Sequence, residues 1–191
     1  MPSTDRLLAE LGELLTENAI GVGRLTPRPR GGRLTGDPRR VLEQTLALLE
    51  NTPSSRGCLV YGNGCFAVGR YTDAAAVYQG ILTVQSDDLD ARFNLGLTHL
   101  RLKDPGRAVE NLNLVLAQDP SMAEAHYQLG NAYDDMGEGE SALAGYDQAK
   151  ALQPGYLQAI YNKGVSLAKL GRHHEAVAKF DQAVALRPGL S

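Results

Sequence analysis

Three carboxamide side chains, Asn94, Gln128 and Asn162, follow one another at equal steps (128 − 94 and 162 − 128 both give 34), and Val60 stands one step earlier. A carboxamide offers both a donor and an acceptor, so such a column matches the N–H and C=O groups of an extended peptide whatever its side chains. Asn63 and Asn131 add further amides nearby. One residue before each column member lie Leu59, Phe93, Tyr127 and Tyr161, with Phe66 and Leu100 further along. That apolar, aromatic stripe suits a partner's side chains or helix face, and it suits packing between neighbouring helices equally well. Asp90, Glu124, Asp134 and Asp135 gather in the same stretch and favour a partner carrying lysine or arginine. The residues that would do chemical work are missing. There is no glycine-rich phosphate loop, no metal-ligand spacing and no nucleophile elbow, so the expectation is a chain with no catalytic residue, no metal and no cofactor, and not an enzyme.

The elements that must position these side chains follow from the same period. Glycine recurs at Gly62, Gly96, Gly130 and Gly164 in the same equal steps, and alanine follows by twelve at Ala74, Ala108, Ala142 and Ala176. Tyr78, Leu112, Tyr146 and Phe180 follow by sixteen, and Ser86, Pro120, Pro154 and Pro188 by twenty-four. A period of this length marks stacked supersecondary units. Each unit reads as two helices: apolar residues recur at three- and four-residue steps, as at Leu143, Tyr146, Ala149 and Leu152, which is the mark of an amphipathic helix. The small residues are expected where two helix backbones approach closely. Gly69, Gly137 and Gly171, with Lys103 as the exception, fit the position just past a helix end where a left-handed backbone is wanted. Proline stops the second helix.

On these residues the chain resembles the tetratricopeptide repeat family over Ser55 to Leu190. The resemblance implies an all-α, right-handed superhelical solenoid of antiparallel helix pairs, with units at 55–88, 89–122, 123–156 and 157–190 and first helices lining a concave groove. The amide column is similar to the asparagine ladder of the O-linked N-acetylglucosamine transferases, where such amides hold a peptide backbone. The departures are Ser86 for the closing proline, Lys163 for the usual leucine before the glycine, and Cys58, Arg92, His126 and Ile160 where a large aromatic is common. The family subtype that grips the carboxylate tails of heat-shock chaperones is disfavoured, because its cation positions hold Leu59, Glu124 and Gln128 here, and a carboxylate needs charged donors to be held tightly.

Asp37 to Pro53 aligns without a gap on Asp104 to Pro120. Leu11-Gly12 carries the leucine-glycine pair within a stripe of Leu7, Leu8, Leu11, Leu14 and Leu15, as one face of a helix requires. Residues 5–54 therefore read as a degenerate first repeat split by an insertion at about 20–36, against the alternative of an unrelated amphipathic helix plus linker. The insertion holds Arg24, Arg28, Arg30 and Arg33 without an acidic residue. It reads as a flexible loop kept soluble by its arginines, or as a basic docking strand for an acidic surface.

Composition narrows the partners. The net charge of −3 argues against general nucleic-acid binding. No apolar run approaches the length of a membrane span and no signal-peptide core follows Met1, so a cytoplasmic location is expected. Cys58 and Cys65 lie seven apart on one expected helix, too far along it to bridge, and read as small apolar residues. His99 and His126 fall on packing columns, and His173 with His174 at a turn. Val165, Ala168, Val177 and Phe180, on the last unit, are expected to be partly uncovered, since repeat arrays are normally capped. The function expected is a non-enzymatic scaffold that binds a peptide or helix of a partner protein, with a basic partner favoured. The second reading is a homo-oligomer assembled through its ends and basic loop, and the third a targeting module of a larger enzyme.

Overall fold

A computed structural model describes residues 55–186. The described chain forms eight α-helices and no strand: α1 (Ser55–Ala67), α2 (Tyr71–Val84), α3 (Leu89–Arg101), α4 (Pro105–Gln118), α5 (Ala123–Met136), α6 (Gly139–Leu152), α7 (Leu157–Lys169) and α8 (His173–Ala185). They belong to two compact bodies that meet in sequence between Lys103 and Asp104. In the first, α1 packs on α2 and α2 on α3; in the second, each of α4 to α8 packs on the next. The split first repeat, its arginines Arg24, Arg28, Arg30 and Arg33, and Pro188 lie outside the described residues.

Local signals set the helix ends. Asp88 and Asp104 cap α3 and α4, their carboxylates accepting from the backbone N–H of Ala91 and Arg107 at 2.8 and 3.2 Å, which satisfies donors that the helix itself leaves unpaired. Pro105 opens α4, where its missing N–H costs nothing. Past α1, α5 and α7 the chain turns through Gly69, Gly137 and Gly171 at φ of 82, 80 and 76°. In each case the N–H of the residue after the glycine returns to a carbonyl five positions back, that of Cys65, Tyr133 or Leu167, closing the helix end. Helices α4 and α6 stop two residues before Pro120 and Pro154, and α2 stops at the same register before Ser86. The proline is therefore not needed to end the second helix.

Lys103 takes the glycine position after α3 at φ 61°, a left-handed backbone that a residue with a Cβ adopts at a cost. Lys103→Gly is expected to stabilise the chain by about 0.5–1 kcal/mol, after allowing for the extra freedom glycine brings to the unfolded state. Urea denaturation followed by circular dichroism checks it. An unchanged or lower midpoint would mean that the lysine's contacts outweigh the strain.

Three of the recurring glycines make room for a ring, and one of them, Gly130, also stands at the close backbone approach expected of them. A Cβ on Gly62, Gly130 or Gly164 would lie 2.6, 2.5 or 2.7 Å from the ring of Tyr78, Tyr146 or Phe180, the aromatic sixteen residues on. Each of these glycines makes room for a ring laid on the first helix. A backbone approach joins Gly130 to Gly145, whose Cβ would meet the N and Cα of Gly130 at 2.8 and 3.0 Å and the carbonyl oxygen of His126 at 2.9 Å.

The core of the second body includes two clusters, Tyr127, Ala142, Tyr146, Ala149 and Ala159 in one, and Leu143, Leu167 and Ala176 in the other. In the first body Ala74, Tyr78, Ala91 and Phe93 are fully buried. Lys163, at the leucine column, finds a partner in Asp147 at 2.5 Å. Cys65 is buried and Cys58 half-buried.

Candidate functional site

The sequence places the amides on an open groove; in the first body they face one another instead. Asn63 Oδ1 accepts from the Tyr78 hydroxyl at 2.7 Å and from Asn94 Nδ2 at 2.9 Å, so both of its lone pairs are engaged. All three side chains are 0% exposed. Burial lifts the Tyr78 phenol far above its ordinary range, which keeps the hydroxyl protonated as a donor.

The second body repeats the arrangement. Asn131 Oδ1 accepts from the Tyr146 hydroxyl at 3.0 Å and from Asn162 Nδ2 at 2.9 Å. Asn162 Nδ2 also donates to the Tyr127 hydroxyl at 3.1 Å, and Asn131 Nδ2 to Gln128 Oε1 at 3.0 Å. Each unit is thus a tyrosine and an asparagine from one repeat with an asparagine from the next.

The unit recurs every second repeat. Asn63 with Tyr78 and Asn131 with Tyr146 are two steps apart (131 − 63 and 146 − 78 both give 68), while the other two repeats carry Leu97 with Leu112 and Val165 with Phe180. Where the later column holds a tyrosine, the matching position fifteen residues earlier is an asparagine; where it holds leucine or phenylalanine, the matching position is aliphatic. That pairing is what a buried hydroxyl demands, and its doubled period is the signal that a search for single-repeat columns passes over.

These contacts correct the expected exposure of the candidate residues. Asn63, Asn94 and Gln128 are buried, as are Leu59, Phe93 and Tyr127 of the aromatic stripe. They are core because the face of a first helix that carries them is covered by neighbouring chain. Phe66 is half-buried, edge-on to Tyr71 at 5.3 Å and beneath the Arg101 guanidinium at 6.0 Å. Of the acids, Asp134 pairs with Lys169 at 3.1 Å, Asp90 and Glu124 are half-buried, and Asp135 is exposed. His99 is buried, and the His126 ring lies 3.0 Å from the Pro120 carbonyl.

Tyr161 behaves otherwise. At 53% exposure against 8% for Tyr127, it stands on a cleft of about 510 Å³ between α7 and α8. Leu157, Gln158 and Asn162 of α7 line it with Phe180, Ala183 and Val184 of α8, and Tyr127 also borders it. The lining has no charged group. Val165, Ala168 and Phe180 nearby are half-covered and Val177 is exposed. Among the described residues no three histidine, cysteine or acidic side chains gather as metal ligands, and no helix is long and apolar enough to cross a membrane.

A family model described as Tetratricopeptide repeat matches residues 65–123 and 127–191. Superkiller complex protein 3 of Mus musculus is 34% identical over 100 residues, which cover 52% of this chain and 6% of that protein. Photosystem I assembly protein Ycf3 of Synechococcus elongatus (strain ATCC 33912 / PCC 7942 / FACHB-805) is 29% identical over 117 residues, covering 54% of this chain and 68% of that protein. The chain therefore spans a small fraction of the first relative and about two thirds of the second. Among solved structures, MamA 41-end from Desulfovibrio magneticus RS-1 superposes with a TM-score of 0.78 at 20% identity, covering 100% of this chain and 99% of that one. YrrB, a TPR protein with an unusual peptide-binding site, gives 0.67 at 23% identity over 80% and 79%. At these identities the structural likeness shows the fold.

Proposed function

Because the chain belongs to the tetratricopeptide repeat family, we propose that it is a non-enzymatic scaffold that holds a segment of a partner protein against the second body. The observation that carries this is the cleft at Tyr161. The described amides and most of the aromatic stripe are taken up in holding repeats together, and the cleft is where ordered apolar surface meets solvent beside a half-exposed amide, Asn162. A few polar groups on an otherwise apolar concavity are the usual make-up of a recognition site. A photosystem assembly protein and a peptide-binding protein among its likenesses support the reading. Exposed Asp135 adds a negative charge on α5 of the same body and favours a basic partner.

A peptide array probed with the wild-type chain and with Tyr161→Ala and Asn162→Ala tests the proposal. The expected outcome is a set of bound peptides whose affinity falls about tenfold in Tyr161→Ala, the scale of a truncated aromatic contact. Asn94→Ala is unsuitable as a probe of contact, since Asn94 is buried and its loss unpairs the core. No peptide retained, or retention indifferent to both substitutions, argues against recognition at this surface. The second reading, self-association, is favoured by exposed apolar residues on α8, Val177 at 57% and Val184 at 70%. A single monomeric species in sedimentation at high concentration removes it.

A further inference from the structure

The amide that anchors the first body is also placed to change its own covalent structure. Asn63 is followed by Gly64, and no other asparagine of the chain precedes a glycine. In such a pair the backbone nitrogen of the glycine, which no Cβ shields, attacks the carboxamide carbon of the asparagine. A new C–N bond closes a succinimide, the carboxamide C–N bond breaks, and ammonia leaves. Water then opens the ring at either carbonyl to give aspartate or isoaspartate, and neither returns to asparagine. The position of Gly64 holds Thr98, Ala132 and Ser166 in the other repeats, so glycine is no requirement of the repeat.

The folded first body blocks this reaction. Asn63 lies within α1, where helical geometry commits the Gly64 N–H to the carbonyl four residues back and turns its nitrogen away from the carboxamide. The Tyr78 hydroxyl and Asn94 Nδ2 both donate to Asn63 Oδ1, and the side chain is 0% exposed. Attack therefore requires α1 to unwind at Asn63 and the carboxamide to leave Tyr78 and Asn94. The sequence of α1 supports its helix weakly. It carries three glycines, Gly57, Gly62 and Gly64, more than any other described helix, with no acidic residue in its first turn and no basic residue in its last. Glycine weakens a helix interior, and charges of those signs would have steadied the ends.

We propose that Asn63-Gly64 is a self-modification site that opening of α1 unlocks, so that its conversion records each opening and hinders the first body from closing again. Isoaspartate carries the main chain through the former side chain and adds a methylene to it, which breaks the register of α1. Aspartate keeps an acceptor but brings a negative charge to a fully buried place, and a buried charge costs far more than a buried amide. The second body has the lock without the reactive pair. Asn131 accepts from Tyr146 and Asn162 in the same manner, but Ala132 follows it, and the alanine side chain hinders the attack.

The test incubates the full chain at neutral pH, native and in denaturing guanidinium chloride, and follows each asparagine by peptide mapping and mass spectrometry. Asn63 is expected to convert fastest in the denatured chain, and at least about a hundredfold more slowly in the native one, the factor set by the fraction of time that α1 is open. Asn131 is expected to lag Asn63 at least about tenfold in the denatured chain. Tyr78→Phe, which removes one of the two donors, is expected to speed native conversion about fivefold and to leave the denatured rate unchanged. The converted chain, separated on ion exchange by its added negative charge, is expected to unfold at a lower guanidinium concentration than the unconverted one. Equal native and denatured rates overturn the proposal, as does Asn131 keeping pace with Asn63, a native rate blind to Tyr78→Phe, or an unmoved midpoint after conversion. If circular dichroism shows that Tyr78→Phe does not fold, small additions of guanidinium to the wild-type chain make the same test. The native rate must then rise below the unfolding transition, and a flat rate overturns the proposal.

Discussion

Asn63→Leu is expected to destabilise the chain by about 2–6 kcal/mol, a loss set by the two donors it strands and not by the asparagine itself. The Tyr78 hydroxyl and Asn94 Nδ2 both point at Asn63 Oδ1 from fully buried side chains. Each buried donor left unpaired costs about 1–3 kcal/mol, more than the net worth of the bond it made. The apolar gain from leucine, of similar volume, offsets only a fraction. Urea denaturation followed by circular dichroism measures the change.

The sign of a second substitution identifies the mechanism. Tyr78→Phe alone removes one of two donors on an acceptor that keeps the other, and should cost about 1 kcal/mol. In the Asn63→Leu background the same change removes a stranded hydroxyl and should be neutral or stabilising. The pair reproduces the combination that the chain already carries at the same two columns in Val165 and Phe180. Additive losses in the double-mutant cycle would show that the two side chains are not coupled.

The amides also show where reading a sequence stops. The repeat period assigns a residue to a column, and a column to a face of a helix, because both are properties of the repeat. It does not say what lies across from that face. Asn94 and Asn162 sit in one column, yet whether they meet a peptide or another amide depends on Asn63 and Asn131, which belong to a different column and are present in every second repeat only. The helices, the turns after the first helices and the special position of Lys103 were legible since each depends on a few adjacent residues: a stripe, a left-handed turn. The stripe of Leu59, Phe93, Tyr127 and Tyr161 was legible as a stripe, but its burial was not. The first three are covered and Tyr161 is open, though all four are large and apolar, because coverage depends on the next helix and not on the residue.

Gly145→Ala is expected to cost about 2–3 kcal/mol, although alanine is the better helix former by about 1 kcal/mol. The added Cβ would lie 2.8 Å from the backbone N of Gly130 and 2.9 Å from the carbonyl oxygen of His126, so relief requires α5 and α6 to move apart as bodies. That separation would loosen the cluster of Tyr127, Tyr146 and Ala149 packed between them. Overpacking of this kind typically costs about 1–3 kcal/mol and occasionally more. Gly130→Ala is the informative contrast, because the nearest atoms to its Cβ would be those of the Tyr146 ring, at 2.5 Å. A ring can be shortened. Tyr146→Leu, the residue that Leu112 supplies in the preceding repeat, should recover part of the Gly130→Ala loss and none of the Gly145→Ala loss. Equal rescue of both in urea denaturation would mean that the two helices slide freely past one another, and that the Gly130–Gly145 contact does not set their spacing.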